Sequence, residues 1–234
     1  MKKFFVFAIM AIFTLATQAQ IVSSRSSRIT TTGSAGDYSK GWNTIYLQWN
    51  PSSFSPEVGS SESFTGFSVG YNHAFGLTQS IPLYVEAGIG VQYSFWDGDF
   101  YFRYEGQSVK LKDSKVKILS AKVPVSLMYK FDIPNSTISI VPNAGLDLRF
   151  NILGKLKNDE LEEFYKKSSF NLFDKDDMLS DDNTWNRFQI GWHVGVNFMF
   201  NNQFLVGASY GTDFSEIMKS YKIHTGSITL GYCF

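Results

Sequence analysis

Eight ionisable side chains lie within or directly beside stretches in which every second residue is apolar, and these are the residues that could do chemistry. They are Glu86, Lys122, Lys130, Asp147, Arg149, Arg187, His193 and Asp213. Charges in such surroundings must pair, because an isolated ion in a low-dielectric interior is strongly disfavoured. Their chemistry is therefore either that of an ion-pair network or that of a conduit whose charges select small solutes. The elements that position them decide between the two.

All of these residues except Asp213, which directly follows the seventh run, belong to eight runs in which apolar and polar residues alternate with a period of two. The third run shows it most clearly, since every second residue from Leu83 to Phe95 is apolar while Glu86, Gln92 and two glycines occupy the other face. This period is typical of a β-strand with one face in an apolar medium. The runs therefore predict an all-β protein.

The apolar face of these strands carries no charge, whereas charges and most strand glycines share the opposite face. A charged residue on a lipid-facing strand position costs ~2–4 kcal/mol near the bilayer midplane, so an uncharged outer face is what lipid exposure would require. A soluble barrel would show the reverse, with an apolar interior. Glycines beside long charged side chains suit the narrow interior of an eight-stranded barrel.

The gaps between the runs alternate between short and long. The short gaps are 76–82, 132–137 and 201–203, and the long gaps are 51–61, 97–115, 151–184 and 212–222. The sequence therefore predicts an eight-stranded antiparallel up-and-down transmembrane β-barrel over residues 41–234. Tight turns and both termini would be periplasmic and long loops extracellular. Within 97–115, Glu105 and Gly106 predict the turn of a hairpin that extends the barrel.

The first residues predict export. Lys2 and Lys3 precede an apolar stretch at 4–15, and the small residues Thr17 and Ala19 follow, so residues 1–19 read as a signal peptide and 20–40 as a short polar segment. The only cysteine, Cys233, cannot form an intramolecular disulfide and predicts a buried thiol. A net charge of zero gives no support to nucleic-acid binding.

Three segments carry a resemblance to a known family: 122–131 (KVPVSLMYKF), 143–150 (NAGLDLRF) and the last strand at 228–234. They resemble the outer-membrane β-barrels of Bacteroidetes-type bacteria, the porin family or PorT-like proteins with an OmpA-like barrel. The resemblance implies the outer membrane of a Gram-negative bacterium, and a topology rather than an activity. It also implies that Leu230, Tyr232 and Phe234, on one face of the last strand, form the signal read by the barrel-assembly machinery.

With this architecture, we favour a lumen ion-pair network over a conduit, because an eight-stranded interior is filled by its own side chains. Asp147, Arg149, Arg187 and Asp213 should meet towards the loop end. His193 would point into the lumen rather than towards lipid, and no GxSxG elbow occurs, so we expect no catalytic site.

The gap at 151–184 is the most individual part of the chain. Residues 158–167 predict a short helix, with acids in its first turn and lysines in its last. An acidic stretch with five aspartates between 174 and 182 follows, but it lacks the spacing of an EF-hand, so we expect a solvated loop and no metal or cofactor.

We therefore expect a non-enzymatic outer-membrane protein, monomeric and either structural or partner-binding. Its partners would be outer-membrane lipid, the barrel-assembly machinery and an unidentified surface ligand that contacts 97–115 and 151–184. The first alternative is a narrow porin-like channel for ions or small solutes. The second is an outer-membrane lipid-modifying enzyme.

Overall fold

The computed structural model describes residues 38–56, 62–104, 107–159, 166–178, 184–219 and 221–234. The predicted signal peptide, and the polar segment up to residue 37, lie outside them. Eight long strands are present: β1 (Trp42–Pro56), β2 (Glu62–Gly76), β3 (Leu83–Tyr104), β4 (Gln107–Tyr129), β5 (Ile138–Lys157), β6 (Phe188–Phe200), β7 (Phe204–Asp213) and β8 (Tyr221–Cys233).

Each long strand pairs antiparallel with the next along the chain, and β1 pairs with β8. The last pairing closes the sheet into a barrel, with Thr44 opposite Cys233 and Trp49 opposite Ile228. The predicted eight-stranded antiparallel barrel is confirmed. Two short strands, Phe131–Asp132 and Ser169–Asn171, pair with β5, and helix α1 spans Lys175–Met178. Among the described residues, no helix has the length and apolarity to cross a membrane.

The three short connections lie at one end of the barrel, called here the turn end, and the long connections lie at the other, the loop end. The β6–β7 turn contains Asn201 and Asn202 with φ of 52° and 55°. Asparagine tolerates this left-handed conformation better than most residues, so the sequence favours a tight reversal here. β1 starts and β8 ends at the turn end.

Four strands, β1, β3, β4 and β5, continue at least six residues further into the long gaps than the alternation predicts, β1 as far as Pro56. β3 and β4 stay paired until Tyr104 lies opposite Gln107, as expected for a hairpin, although Glu105 and Gly106 themselves lie outside the described residues. β5 continues to Lys157. The predicted helix at 158–167 falls mostly on 160–165, which are also outside. Asn158 is buried and not helical, and its Nδ2 donates to the Lys112 carbonyl (2.6 Å) and Ser114 Oγ (2.9 Å).

The outward face of the barrel is apolar and exposed, as predicted; Ile89, for example, is 62% exposed. The interior differs from the expectation of a polar lumen, because apolar side chains fill both of its ends. The turn-end cluster consists of Trp42, Ala74, Tyr84, Met128, Val141, Met199, Leu205 and Cys233. The loop-end cluster consists of Leu111, Val116, Ile118, Leu156, Phe170, Leu172, Met178, Trp185, Ile217, Met218 and Ile223. A polar layer lies between them.

Candidate lumen site

The centre of the polar layer is a chain of four side chains from three strands. Lys122 Nζ lies 3.3 Å from Asp147 Oδ1, an ion-pair distance without hydrogen-bond alignment. The other carboxylate oxygen of Asp147 lies 2.9 Å from His193 Nδ1, and His193 Nε2 lies 2.9 Å from Ser126 Oγ. Lys122 Nζ also donates to Gln48 Oε1 at 3.4 Å. The chain thus ties β1, β4, β5 and β6 together.

A glycine makes the contact between Ser126 and His193 possible. Gly145 on β5 lies opposite Ser126 on one side and opposite His193 on the other. Since Gly145 has no side chain, the two neighbours reach each other across its strand. A Cβ at Gly145 would lie 2.1 Å from the Val125 carbonyl oxygen, so the wall leaves no space for one.

A second ion pair lies nearer the loop end. Arg149 Nη2 donates to Asp213 Oδ2, and both side chains are 11% exposed. Asp213 faces Gly191 across the β6–β7 ladder, so this pair also spans a strand at a glycine. Arg149 Nε donates to Gln189 Oε1 at 3.0 Å, and the same oxygen accepts from Asn151 Nδ2 at 3.2 Å. The arginine therefore has a carboxylate and an amide partner inside the barrel.

Glu86 is buried and accepts a hydrogen bond from Asn72 Nδ2 at 2.9 Å. It lines a cavity of about 90 Å³ in the polar layer together with Lys122, Asp147, Arg149, His193 and Asp213. One water needs ~10–15 Å³ of cavity volume, so this cavity has room for several waters or a very small solute. Six of the eight sequence-predicted residues therefore meet at one place.

The other two predicted residues lie elsewhere. Lys130 is at the turn end, where its Nζ contacts Asn202 Oδ1 at 2.9 Å and Asp132 Oδ1 at 3.3 Å. The prediction that Arg187 lies in the lumen and pairs with Asp213 is wrong. It precedes β6, is exposed, and donates to the carbonyl oxygens of Asn151 (3.2 Å) and Ile152 (3.0 Å). Its guanidinium lies 4.6 Å from the centre of the Phe173 ring.

Sequence reasoning missed the neutral partners that complete these networks, chiefly Ser126 for His193 and Gln189 for Arg149. Ser126, His193 and Asp147 have the order and the contacts of a hydrolytic triad. A triad also needs free donors for an oxyanion and a path for substrate. Ser126 is 5% exposed, and its backbone lies within the β3–β4 and β4–β5 ladders. Only the alternation of faces could have signalled Ser126, since it shares the lumen side with Lys122.

In the acidic stretch, Asp177 is held by two contacts. Its Oδ1 lies 2.6 Å from Lys167 Nζ, and its Oδ2 accepts from the Asn171 amide at 2.8 Å. The hydrogen bond from Lys167 lowers the pKa of the Asp177 carboxyl from its usual range. Desolvation is the next largest effect and opposes it, while the Asn171 amide and the charge of Lys167 lower the pKa further. Among the described residues, no group of three acids, histidines or cysteines could hold a metal ion.

The three residues of the expected assembly signal share the outward face of β8, where Leu230 and Phe234 are each 56% exposed. Phe234 also closes the barrel seam, because it exchanges two backbone hydrogen bonds of 2.9 Å with Asn43. Cys233, its neighbour, is a buried free thiol, as the sequence predicts.

Comparison with known proteins gives one family and several structures. Residues 19–219 match the model of an outer membrane protein beta-barrel domain. No curated protein matches the chain. Among solved structures, Ail, the attachment invasion locus protein of Yersinia pestis, is 18% identical over 83% of this chain and 99% of that one, with a TM-score of 0.41.

Two further structures are similar. Neisserial surface protein A is 14% identical over 82% of this chain and 97% of that one, with a TM-score of 0.44. The outer membrane enzyme PagL is 11% identical over 80% of this chain and 97% of that one, also with a TM-score of 0.44. These similarities assign no activity to the chain.

Proposed function

The chain belongs to the outer membrane protein beta-barrel domain family and resides in the bacterial outer membrane. We propose that it is a non-enzymatic surface protein that binds a partner through its loop end. Within that family, the resemblance at 122–131 and 143–150 favours the Bacteroidetes-type, PorT-like barrels. The partner would be a surface ligand that contacts the segments at 97–115 and 151–184. We propose that the protein is monomeric, and that the barrel-assembly machinery reads Leu230, Tyr232 and Phe234.

The observation that carries this proposal is the loop-end cluster. Its members come from β4, β5, β8 and the segments at 166–178, 184–186 and 217–218, so the long connections pack on each other around a core of their own. Leu172 is fully buried in it, and Trp185 is 7% exposed. A packed core holds the surface above it in one shape, and a preformed surface binds with a smaller entropy cost than a mobile loop.

The same cluster argues against a pore as the main function. Apolar side chains occupy the lumen at the loop end and again at the turn end, with the polar layer enclosed between them. An ion crossing the barrel would leave water for two apolar layers, which is strongly disfavoured. Reconstitution in planar bilayers should therefore give little or no steady current, and a large stable conductance would replace this proposal with the channel.

Two matched leucine substitutions test the role of the loop end. Leu172→Ala removes a core side chain of the loop-end cluster, and Leu205→Ala removes one of the turn-end cluster, 5% exposed. Each should cost ~2–5 kcal/mol of local stability. Intact cells bearing Leu172→Ala should lose capture of the surface partner, detected by cross-linking, while Leu205→Ala cells at equal surface abundance keep it. Equal capture by both variants would refute the proposal.

Hydrolysis is a second candidate, supported by the Ser126–His193–Asp147 contacts alone. Such an enzyme would have to admit substrate to a serine that lies inside the barrel, and a lipid substrate would be on the other side of the wall. A fluorophosphonate probe, which labels activated serines, should leave the protein unmodified. Labelling that is lost in both Ser126→Ala and His193→Ala would establish the hydrolase instead.

A further inference from the structure

Four lysines form two adjacent cross-strand pairs on the outer wall of the barrel. Lys117 lies directly opposite Lys155 in the β4–β5 ladder, and Lys115 lies directly opposite Lys157. All four are exposed. Residues directly opposite on neighbouring strands have Cβ atoms ~5 Å apart, and like charges in this position are destabilising. We call this group the lysine ladder.

The ladder has little compensation from the protein itself. Lys157 Nζ lies 3.5 Å from Asp159 Oδ1, but both side chains are more than half exposed. Within the described part of the chain, Lys115, Lys117 and Lys155 make no ion pair, even though Asp97 on β3 lies opposite Lys115. The short strand Ser169–Asn171, which flanks β5 on its other side, contributes no charge. The ladder is therefore a net positive surface.

Its height on the barrel identifies the surroundings. The next outward pair towards the turn end is Leu119 opposite Leu153, and Leu153 is 55% exposed. From Leu119, uncharged outward residues follow along β4 to Tyr129. Ten residues rising ~3.4 Å each at a tilt of ~40° span about 25 Å, the height of the apolar band of an outer-membrane barrel. Lys117 and Lys155 are thus the first residues beyond the hydrocarbon on the loop side.

We propose that the lysine ladder binds the phosphate groups of the lipopolysaccharide that makes up the outer leaflet. These phosphates lie at the headgroup level just beyond the hydrocarbon, where the ladder is. Rungs ~7 Å apart and pairs ~5 Å apart give four ammonium groups within reach of one or two phosphates. Phe95, opposite Lys117 on β3 and 42% exposed, lies beside the ladder and can contact an acyl chain.

This inference goes beyond the partner proposed above and does not depend on it. Lys115, Lys155 and Lys157 lie within the segments proposed to contact the partner, but they are on the outward wall, whereas the partner surface is supported by the loop-end cluster. The two proposals therefore have separate tests: Leu172→Ala for the partner and Lys117→Gln/Lys155→Gln for the ladder. A bound phosphate would also account for the closely spaced like charges of the ladder, because it converts their mutual repulsion into shared attraction for one anion.

The test compares two double variants of the full-length protein. Lys117→Gln/Lys155→Gln removes the pair next to the hydrocarbon, and Lys40→Gln/Lys222→Gln removes two exposed lysines elsewhere. Binding of fluorescent lipopolysaccharide to detergent-solubilised protein is measured together with the unfolding midpoint. A lysine near an anionic membrane surface contributes about fivefold in affinity, so the ladder variant should bind about thirtyfold more weakly and the control should match wild type.

Two further arms complete the experiment. Without lipopolysaccharide, the ladder variant should be at least as stable as wild type, because two repelling charges are gone; this also shows that it folds. Dephosphorylated lipopolysaccharide should bind the wild type as weakly as intact lipopolysaccharide binds the ladder variant. Equal affinity of the variant and wild type for intact lipopolysaccharide would overturn the proposal. The proposal would also be overturned if inorganic phosphate raised the unfolding midpoint of the wild type as much as lipopolysaccharide does. That result would indicate a site for a free anion.

Discussion

Replacement of Arg149 by alanine tests whether the lumen charges hold the barrel together. The substitution removes the hydrogen bond to Asp213 and the 3.0 Å hydrogen bond to Gln189. Asp213, which is 11% exposed, would then lie inside the barrel without its cation. The Gln189 oxygen would retain only Asn151 as a donor.

The expected cost follows from this burial. Removing one member of a buried ion pair costs ~3–5 kcal/mol, because the other charge is left uncompensated. Here the side chains are not completely buried, and the neighbouring cavity of about 90 Å³ can supply water to the stranded carboxylate. We therefore expect the lower end, about 3 kcal/mol, for Arg149→Ala.

The assay is reversible urea unfolding in lipid vesicles, followed by tryptophan fluorescence. The control is Lys157→Ala, which removes a lysine from an exposed ion pair and should change stability by less than about 1 kcal/mol. The double variant with Asp213→Asn completes a double-mutant cycle. Because it leaves no stranded charge, it should be more stable than Arg149→Ala alone, and the coupling energy should exceed about 1 kcal/mol.

Two results would refute the reasoning. One is an Arg149→Ala barrel as stable as the Lys157→Ala control. The other is a cycle in which the two substitutions simply add, since independent effects would mean that the pair contributes nothing as a pair. If in addition Arg149→Ala abolished transport across the membrane, the charges would be those of a conduit.

Two further outcomes follow from local geometry. Gly145→Ala should lower the unfolding free energy by ~1–3 kcal/mol, because the new Cβ would meet the Val125 carbonyl at 2.1 Å, whereas Gly226→Ala, where the nearest atom is 3.8 Å away, should not; equal effects would show that the wall yields at Gly145. Contact with Lys167 lowers the pKa of Asp177, so this carboxylate stabilises the folded loop above its unfolded-state pKa and loses that contribution as the pH falls through the lowered folded-state value. After correction for the intrinsic exchange rate, the protection of the amides of residues 166–178 should therefore fall on acidification in the wild type and be less dependent on pH in Asp177→Asn, and identical profiles would contradict this assignment.

The alternation of faces predicted the barrel well, because a period of two is a local property of the strand. It placed Glu86, Lys122 and Asp147 on the lumen side for the same reason. It could not tell how deep in the lumen a residue lies. Inward Met128, Val141 and Leu205 were therefore not recognised as a cluster that closes one end, although each occupies a lumen position.

The sequence predicted the charged residues of the candidate site, but it did not predict which of them contact each other. Which charges meet depends on register across strands distant in the sequence, and this register brings Arg149 to Asp213 over Gly191. Arg187 had the correct parity for the lumen, but parity has meaning only within a strand. Arg187 precedes β6, so its side chain is free to leave the barrel and pack on Phe173.

The two contacts that span a strand at a glycine have a consequence for the order of events in folding. The Ser126–His193 contact joins β4 to β6, and the Arg149–Asp213 contact joins β5 to β7, so neither can form in a hairpin of two strands. Each needs the intervening strand in register first. If the strands pair in the transition state before these side-chain contacts form, substitutions at Ser126, His193, Arg149 or Asp213 will leave the folding rate nearly unchanged and accelerate unfolding. The lumen network would then determine how long the barrel persists rather than how fast it is made.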